Sequence, residues 1–135
     1  MALKDTVLLY SKTQIDEAGR ILTDITSSNQ QRVDALEILG NFRSSHAYPI
    51  NTFQATLRTR LNKLGNDYLV SQRLKRTPSI LLKLERFPKM RLSQMQDIGG
   101  LRAILPNVVD LRGFRVFYRP YSAFLESCVF LVAFD

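Results

Sequence analysis

The sequence predicts an α+β protein, with helices in the N-terminal part and a mixed sheet after them. Three observations carry this expectation. Apolar residues recur at three- and four-residue spacing up to Leu64, the signature of amphipathic helices. After Gly65 the spacing shortens to alternation around Tyr68, Val70 and Gln72, which suits an extended segment. The end, Cys128-Val129-Phe130-Leu131-Val132-Ala133-Phe134, is an unbroken apolar run, most simply a buried strand. Helices first and a mixed part later is the α+β order.

Taken in order, Ile15, Ala18, Leu22 and Ile25 mark a first helix over 12–25. Ser27, Ser28 and Asn29 offer N-caps for a second, whose apolar face uses Val33, Ala35, Leu36, Ile38, Leu39 and Phe42 over about 30–44. Pro49 closes that connection. Asn51 or Thr52 caps a third helix with Phe53, Leu57, Leu61 and Leu64 inside, Arg58, Arg60 and Lys63 outside, and Gly65 as its C-cap. Pro78 sits in the first turn of a helix capped by Thr77, with Ile80, Leu81, Leu84 and Phe87 on its face and Pro88 as its stop. Ile98, Leu101, Ala103, Ile104 and Leu105 read as a buried strand entered through Gly99-Gly100, and a short helix follows over about 107–118.

The chain has 135 residues, about one domain, too short for an enzyme with separate cofactor and substrate domains. With 45% hydrophobic and 23% charged residues the composition is globular rather than disordered. No apolar run reaches the ~18 residues of a membrane span. The N-terminus has no charged segment followed by a long apolar stretch, so no signal peptide is expected. Cys128 is the single cysteine, which excludes an internal disulfide and a cysteine-rich zinc site. A cytoplasmic protein with no membrane partner is expected. The net charge of +7 is uneven: residues 1–50 sum to −1, residues 51–105 to +8 and residues 106–135 to 0. A concentrated positive segment attracts phosphates, of a nucleotide or of a nucleic acid. Arg76, Arg86, Lys89 and Arg91 read as solvated contributors to it.

The informative stretch runs from Arg73-x-Lys75-x-x-x-Ser79-x-x-x-Lys83 to Asp97-Ile98-Gly99-Gly100-Leu101-Arg102. Ser79 and Lys83 are one helical turn apart and share a face near a helix N-terminus, a setting suited to polyphosphate. Arg73 and Lys75, two apart on an extended segment, point to one side. Asp97 is the only acid between Glu85 and Asp110. A lone carboxylate among cations is suited to holding Mg²⁺ between protein and phosphate. The adjacent glycines permit close backbone approach.

These motifs, in this order and spacing, resemble the synthetase domain of RelA/SpoT-type proteins, which make the alarmone (p)ppGpp of the stringent response. Ile15-Asp16-Glu17-Ala18-Gly19 and Asn41-Phe42-Arg43-Ser44-Ser45-His46 resemble a subgroup of that family without a hydrolase domain. The resemblance covers about residues 10–112. It implies a nucleotidyltransferase-like fold and a pyrophosphokinase that moves the β,γ-pyrophosphate of ATP to the 3′-hydroxyl of GDP or GTP. It further implies that Arg73 and Arg102 sandwich the adenine, that Lys75, Ser79 and Lys83 hold the ATP phosphates, and that Asp97 is the catalytic Mg²⁺ ligand. On this reading residues 1–50 form an N-terminal helical part, 51–112 the ATP-binding half of the domain and 113–135 a divergent tail.

The family's guanine-binding segment, Gly-Tyr-x-Ser-x-His, and its later strand Glu near a Gln-x-Arg have no counterpart in this sequence. The expectation is a synthetase domain truncated at its C-terminus, with the donor half kept and transfer impaired. Glu126, Tyr118 and Tyr121 read as surface, core or rim residues rather than replacements. A variant within the family pyrophosphorylates the 3′ end of tRNA as a toxin, so tRNA is the alternative acceptor. A different class of reading is a non-catalytic module that binds RNA or another polyanion. Self-association into a homo-oligomer stays open. His46 reads as a capping or packing residue, Cys128 as a buried inert thiol, and Met90 and Met95 as core fillers.

Overall fold

The computed structural model describes residues 6–65, 67–110 and 112–113, and the backbone of 129–133. Its elements are α1 (Lys12–Thr23), α2 (Asn29–Ser45), α3 (Ala47–Leu64), β1 (Leu69–Leu74), α4 (Thr77–Arg86), a 3-10 helix (Leu92–Gln94), β2 (Gly99–Leu105) and β3 (Val129–Ala133). The α+β class is borne out. The chain forms two compact units, each built from two stretches: residues 1–48 with 74–98, and residues 49–73 with 99–135.

The first unit holds α1, α2, α4 and the 3-10 helix. Both long helices start on a reciprocal capping box. Ser11 Oγ accepts from Gln14 N at 3.3 Å while Gln14 Oε1 accepts from Ser11 N at 2.9 Å. Ser28 and Gln31 repeat the arrangement at 3.2 and 2.8 Å. Each box satisfies two donors that a helix start otherwise leaves open. Between the helices Arg32 Nη2 donates to Asp24 O at 2.6 Å, which ties the connection to α2. The core is made by Ile15, Ala18 and Leu22 of α1, Ala35, Leu39 and Phe42 of α2, Ile80 and Leu84 of α4, then Leu92, Met95 and Ile98. Met95 fills this core and Met90 packs against it, as expected. Burying one such large aliphatic side chain is worth ~1.5–3 kcal/mol.

The second unit packs α3 on the sheet. Leu57 and Leu61 meet Val70, Ala103 and Leu105, with Tyr68 against them. The strand order is β1-β2-β3. β2 and β3 run parallel, from Leu101 opposite Val129 to Leu105 opposite Ala133. Arg58 Nη2 donates to Val70 O at 3.1 Å and fixes the helix to β1. Gly65 ends α3 in the left-handed region at φ 70°, so its C-cap role is borne out.

Several expectations need correction. Ile25 is 92% exposed and lies beyond α1, because Asp24 already ends the helix in an extended conformation. On α2, Val33 and Leu36 are exposed, since only one stripe of the helix meets the core. The third helix starts at Ala47 rather than after Asn51 and carries Pro49 in its first turn, where the missing N–H has no helical acceptor anyway. Leu64 of the same helix is exposed. The N-cap of α4 is Arg76, not Thr77, and no side chain caps it. Phe87 follows α4 and is 49% exposed. Gly99 and Gly100 belong to β2 instead of leading into it. Residues 108–110 and 112–113 of the next expected helix are helical; the rest of it, with Glu126, Tyr118, Tyr121 and Cys128, lies outside the described residues. No described helix is long and apolar enough to cross a membrane.

Candidate functional site

Lys75 follows β1 directly, and its main chain is held from both sides. Lys75 N donates to Ile98 O at 2.7 Å, and Lys75 O accepts from Arg43 Nε at 2.8 Å. The Ile98 partner is the residue after Asp97, so this bond sets Lys75 beside the aspartate. Lys83 reaches the same place from α4. Lys75 Nζ stands 2.6 Å from Asp97 Oδ2, and Lys83 Nζ 2.8 Å from Asp97 Oδ1. Each carboxylate oxygen thus holds its own ammonium. The cluster is partly open: the Lys75, Lys83 and Asp97 side chains are 12%, 28% and 36% exposed. Burial pushes the Asp97 carboxyl up, but hydrogen bonds from both lysines, and their charges, outweigh it and hold the carboxyl below the usual carboxylate range.

The structure therefore brings together Lys75, Lys83 and Asp97. Ser79 lies one turn before Lys83 on α4 and is exposed. Lys83 is in the last turn of this ten-residue helix rather than near its N-terminus, a place where the macrodipole favours an ammonium. Arg73 and Arg102 belong to the other unit and are exposed on the adjacent strands β1 and β2. Val70 and Ala103 face the core against α3, and strand alternation puts Arg73 and Arg102 on the opposite face of the sheet. The bystander cations Arg76, Arg86, Lys89 and Arg91 are exposed.

Two upstream motifs turn out to support this cluster. Asp16 Oδ1 accepts from Ser93 N at 2.9 Å and anchors the 3-10 helix that leads to Asp97. Gly19 lets the same segment close on α1, since a Cβ there would meet Leu92 Cβ at 3.0 Å. Arg43 holds the Lys75 carbonyl, as above. Asn41 brackets the N-terminal segment, donating to Val7 O and accepting from Leu9 N, both at 3.0 Å. Sequence reasoning quoted these residues only as resemblance and gave Asp16, Gly19 and Arg43 no role. Their signal was their place inside the motifs; the partner atoms are 32 to 77 residues away. His46 does cap and pack: its Nδ1–H donates to Phe42 O at 2.7 Å, and its ring stands edge-on to Phe42 at 4.8 Å. A cavity of about 680 Å³ lies in the same unit along α1 and the turn after α4, lined by Asp16, Arg20, Lys89 and Arg91 among others, and none of the candidate site residues lines it.

Among the described residues no group of three or more His, Cys, Asp or Glu could hold a metal ion. A self-sufficient metal site does not fit Asp97. Magnesium often takes only one or two carboxylates and completes its shell with water and phosphate oxygens. A single half-exposed carboxylate between two ammonium groups fits that shared mode. Lysines that pair with a carboxylate can equally pair with phosphate.

No protein-family model matches the chain, and no curated protein matches it.

Proposed function

We propose that the Lys75–Asp97–Lys83 cluster is the donor half of a RelA/SpoT-type synthetase site, which binds ATP with Mg²⁺. The observation that supports this reading is the convergence of three motif residues from separate segments on one point. The Asp16, Gly19 and Arg43 contacts add support, because the two upstream motifs serve the segments that carry Lys75 and Asp97. On this reading Lys75, Ser79 and Lys83 hold the phosphates, and Arg73 and Arg102 bind the adenine. The shared exposed sheet face of those two arginines suits flat guanidinium groups against a base. The fold is then nucleotidyltransferase-like.

Asp97 would hold the magnesium ion together with ATP oxygens, and the ion supplies neutralisation of the charge on the transferred group. In the reaction the 3′-hydroxyl oxygen of GDP or GTP bonds to the β-phosphorus. The bond from that phosphorus to the α–β bridging oxygen breaks, AMP leaves, and the hydroxyl proton is lost. Lys75 and Lys83 stabilise the phosphate charge during transfer.

Calorimetry with ATP and Mg²⁺ tests the reading. Binding is expected, and Lys83→Ala should weaken it about tenfold or more, as expected for the loss of a charge-assisted phosphate contact. Absence of ATP binding, or a Lys83→Ala variant equal to wild type, overturns the assignment. Assays with labelled ATP and either GDP, GTP or deacylated tRNA should show little or no transfer; robust product with one of them identifies the acceptor and overturns the expectation of impaired transfer. Binding to RNA or another polyanion that falls steeply with salt and survives Asp97→Ala would instead favour the non-catalytic module.

A further inference from the structure

We propose that Asp97 makes this site selective for metal-chelated polyphosphate: its carboxylate occupies both lysines until a divalent cation takes it, and so excludes free polyphosphate. The inference rests on the reading of Lys75 and Lys83 as phosphate ligands.

The argument starts from stoichiometry. Asp97 has two oxygens, and each is engaged by a different ammonium, at 2.6 and 2.8 Å. Neither lysine is idle. A free polyphosphate must draw both ammonium groups away and then lie beside a bare carboxylate of its own sign. A divalent cation arriving alone must take a carboxylate that two ammonium groups already satisfy, and leave three positive centres side by side. Each ligand alone meets an unpaired charge. Together they permit an exchange of partners: the carboxylate turns to the cation and the ammonium groups turn to phosphate. The two ligands are therefore coupled, and the coupling is reciprocal.

The backbone is suited to such an exchange. The Lys75 peptide is fixed by Ile98 O and by Arg43 Nε, at 2.7 and 2.8 Å. Lys83 stands on a regular helix. Only the side chains need turn, and both lysine ammonium groups stand at a partly open place, where the Asp97 side chain is 36% exposed. Asp97 thus reads whether a polyphosphate carries its cation.

The test uses the full chain and sodium tripolyphosphate, in chelator and in magnesium, by titration calorimetry. The expectation is counter to a simple ligand role. In chelator, Asp97→Asn should bind tripolyphosphate roughly tenfold tighter than wild type, because two partly exposed ion pairs no longer have to be broken. Magnesium should strengthen binding to wild type and give the variant no comparable gain. Asp97→Ala, which leaves no acceptor for either lysine, should behave as Asp97→Asn. Circular dichroism establishes that each variant is folded. Should one variant not fold, the other carries the comparison, and the magnesium gain in wild type is read without either. Equal or weaker metal-free binding by the folded variants overturns the selectivity proposal, as does a wild type that binds free and chelated tripolyphosphate alike. Failure of wild type to bind ATP with Mg²⁺, with the tripolyphosphate gain intact, removes the nucleotide reading and leaves the selectivity standing.

Discussion

Asp97 carries an acid dependence that belongs to the residue itself. Its carboxyl is held below the usual range in the folded state. A depressed folded pKa contributes stability above the unfolded value and loses it as pH falls through the folded one. The window therefore lies at and below about pH 4. The side chain is 36% exposed, so solvent screening keeps the contribution below ~1 kcal/mol. Wild type should melt slightly higher than Asp97→Asn at pH 7, and the gap should narrow progressively as pH falls below about 4. An unchanged gap across that range would show that the ion pairs do not set the difference. Much of this residue-level picture was legible in the sequence. The sequence motif contains Lys75, Lys83 and the isolated Asp97, which meet, along with Ser79, which stays exposed one turn away on α4. The lysine-to-carboxylate pairing was not legible, because spacing along a chain gives no distance across 22 residues.

At the scale of the element, α1 and α2 each contain a glycine, and the two have opposite meanings. A Cβ on Gly19 would meet Leu92 Cβ at 3.0 Å and Leu84 Cδ1 at 3.4 Å, whereas one on Gly40 would meet nothing within 4 Å. Alanine in a helix interior gains up to ~1 kcal/mol over glycine. At Gly40 that gain should appear undiminished. At Gly19 overpacking costs ~1–3 kcal/mol and reverses the sign. Chemical denaturation should find Gly40→Ala more stable than wild type and Gly19→Ala less stable. A stabilised Gly19→Ala would mean that the 3-10 helix yields freely. Helix existence and type were legible from periodicity, since α1, α2 and α4 each bury one stripe. The ends were less so. Pro49 looks like a break, yet α3 passes through it because the first turn of a helix needs no N–H there. Thr77 looks like a cap, yet Arg76 has the extended cap conformation.

For the whole molecule, the relevant quantities are the net charge of +7 and its concentration in residues 51–105. A polyanion bound by charge alone and ATP bound at a built site differ in what they do to stability. A specific ligand at a hundredfold excess over its dissociation constant adds ~2.7 kcal/mol. For a chain of this length that corresponds to a rise in melting temperature of roughly 10 °C. Thermal melts should show this rise with ATP and Mg²⁺ together. The rise should fall away in Lys83→Ala. A similar rise with heparin that persists in Lys83→Ala would point to charge alone. The two-unit organisation was not legible from sequence. Periodicity reports which residues face a core, and it is silent on which core.

The interleaving of the units has a consequence for synthesis on the ribosome. The chain passes between units after residues 48, 73 and 98. A nascent chain that has emerged as far as Arg73 holds neither finished core, since the first still lacks Ile80, Leu84, Leu92, Met95 and Ile98 and the second lacks Ala103 and Leu105. Lys75 and Asp97 lie just inside two of these passages. The Lys75–Asp97–Lys83 cluster can therefore assemble only when the chain has emerged through Ile98, so that the first unit gains its last core residue and its charged centre in the same stretch of emerging chain.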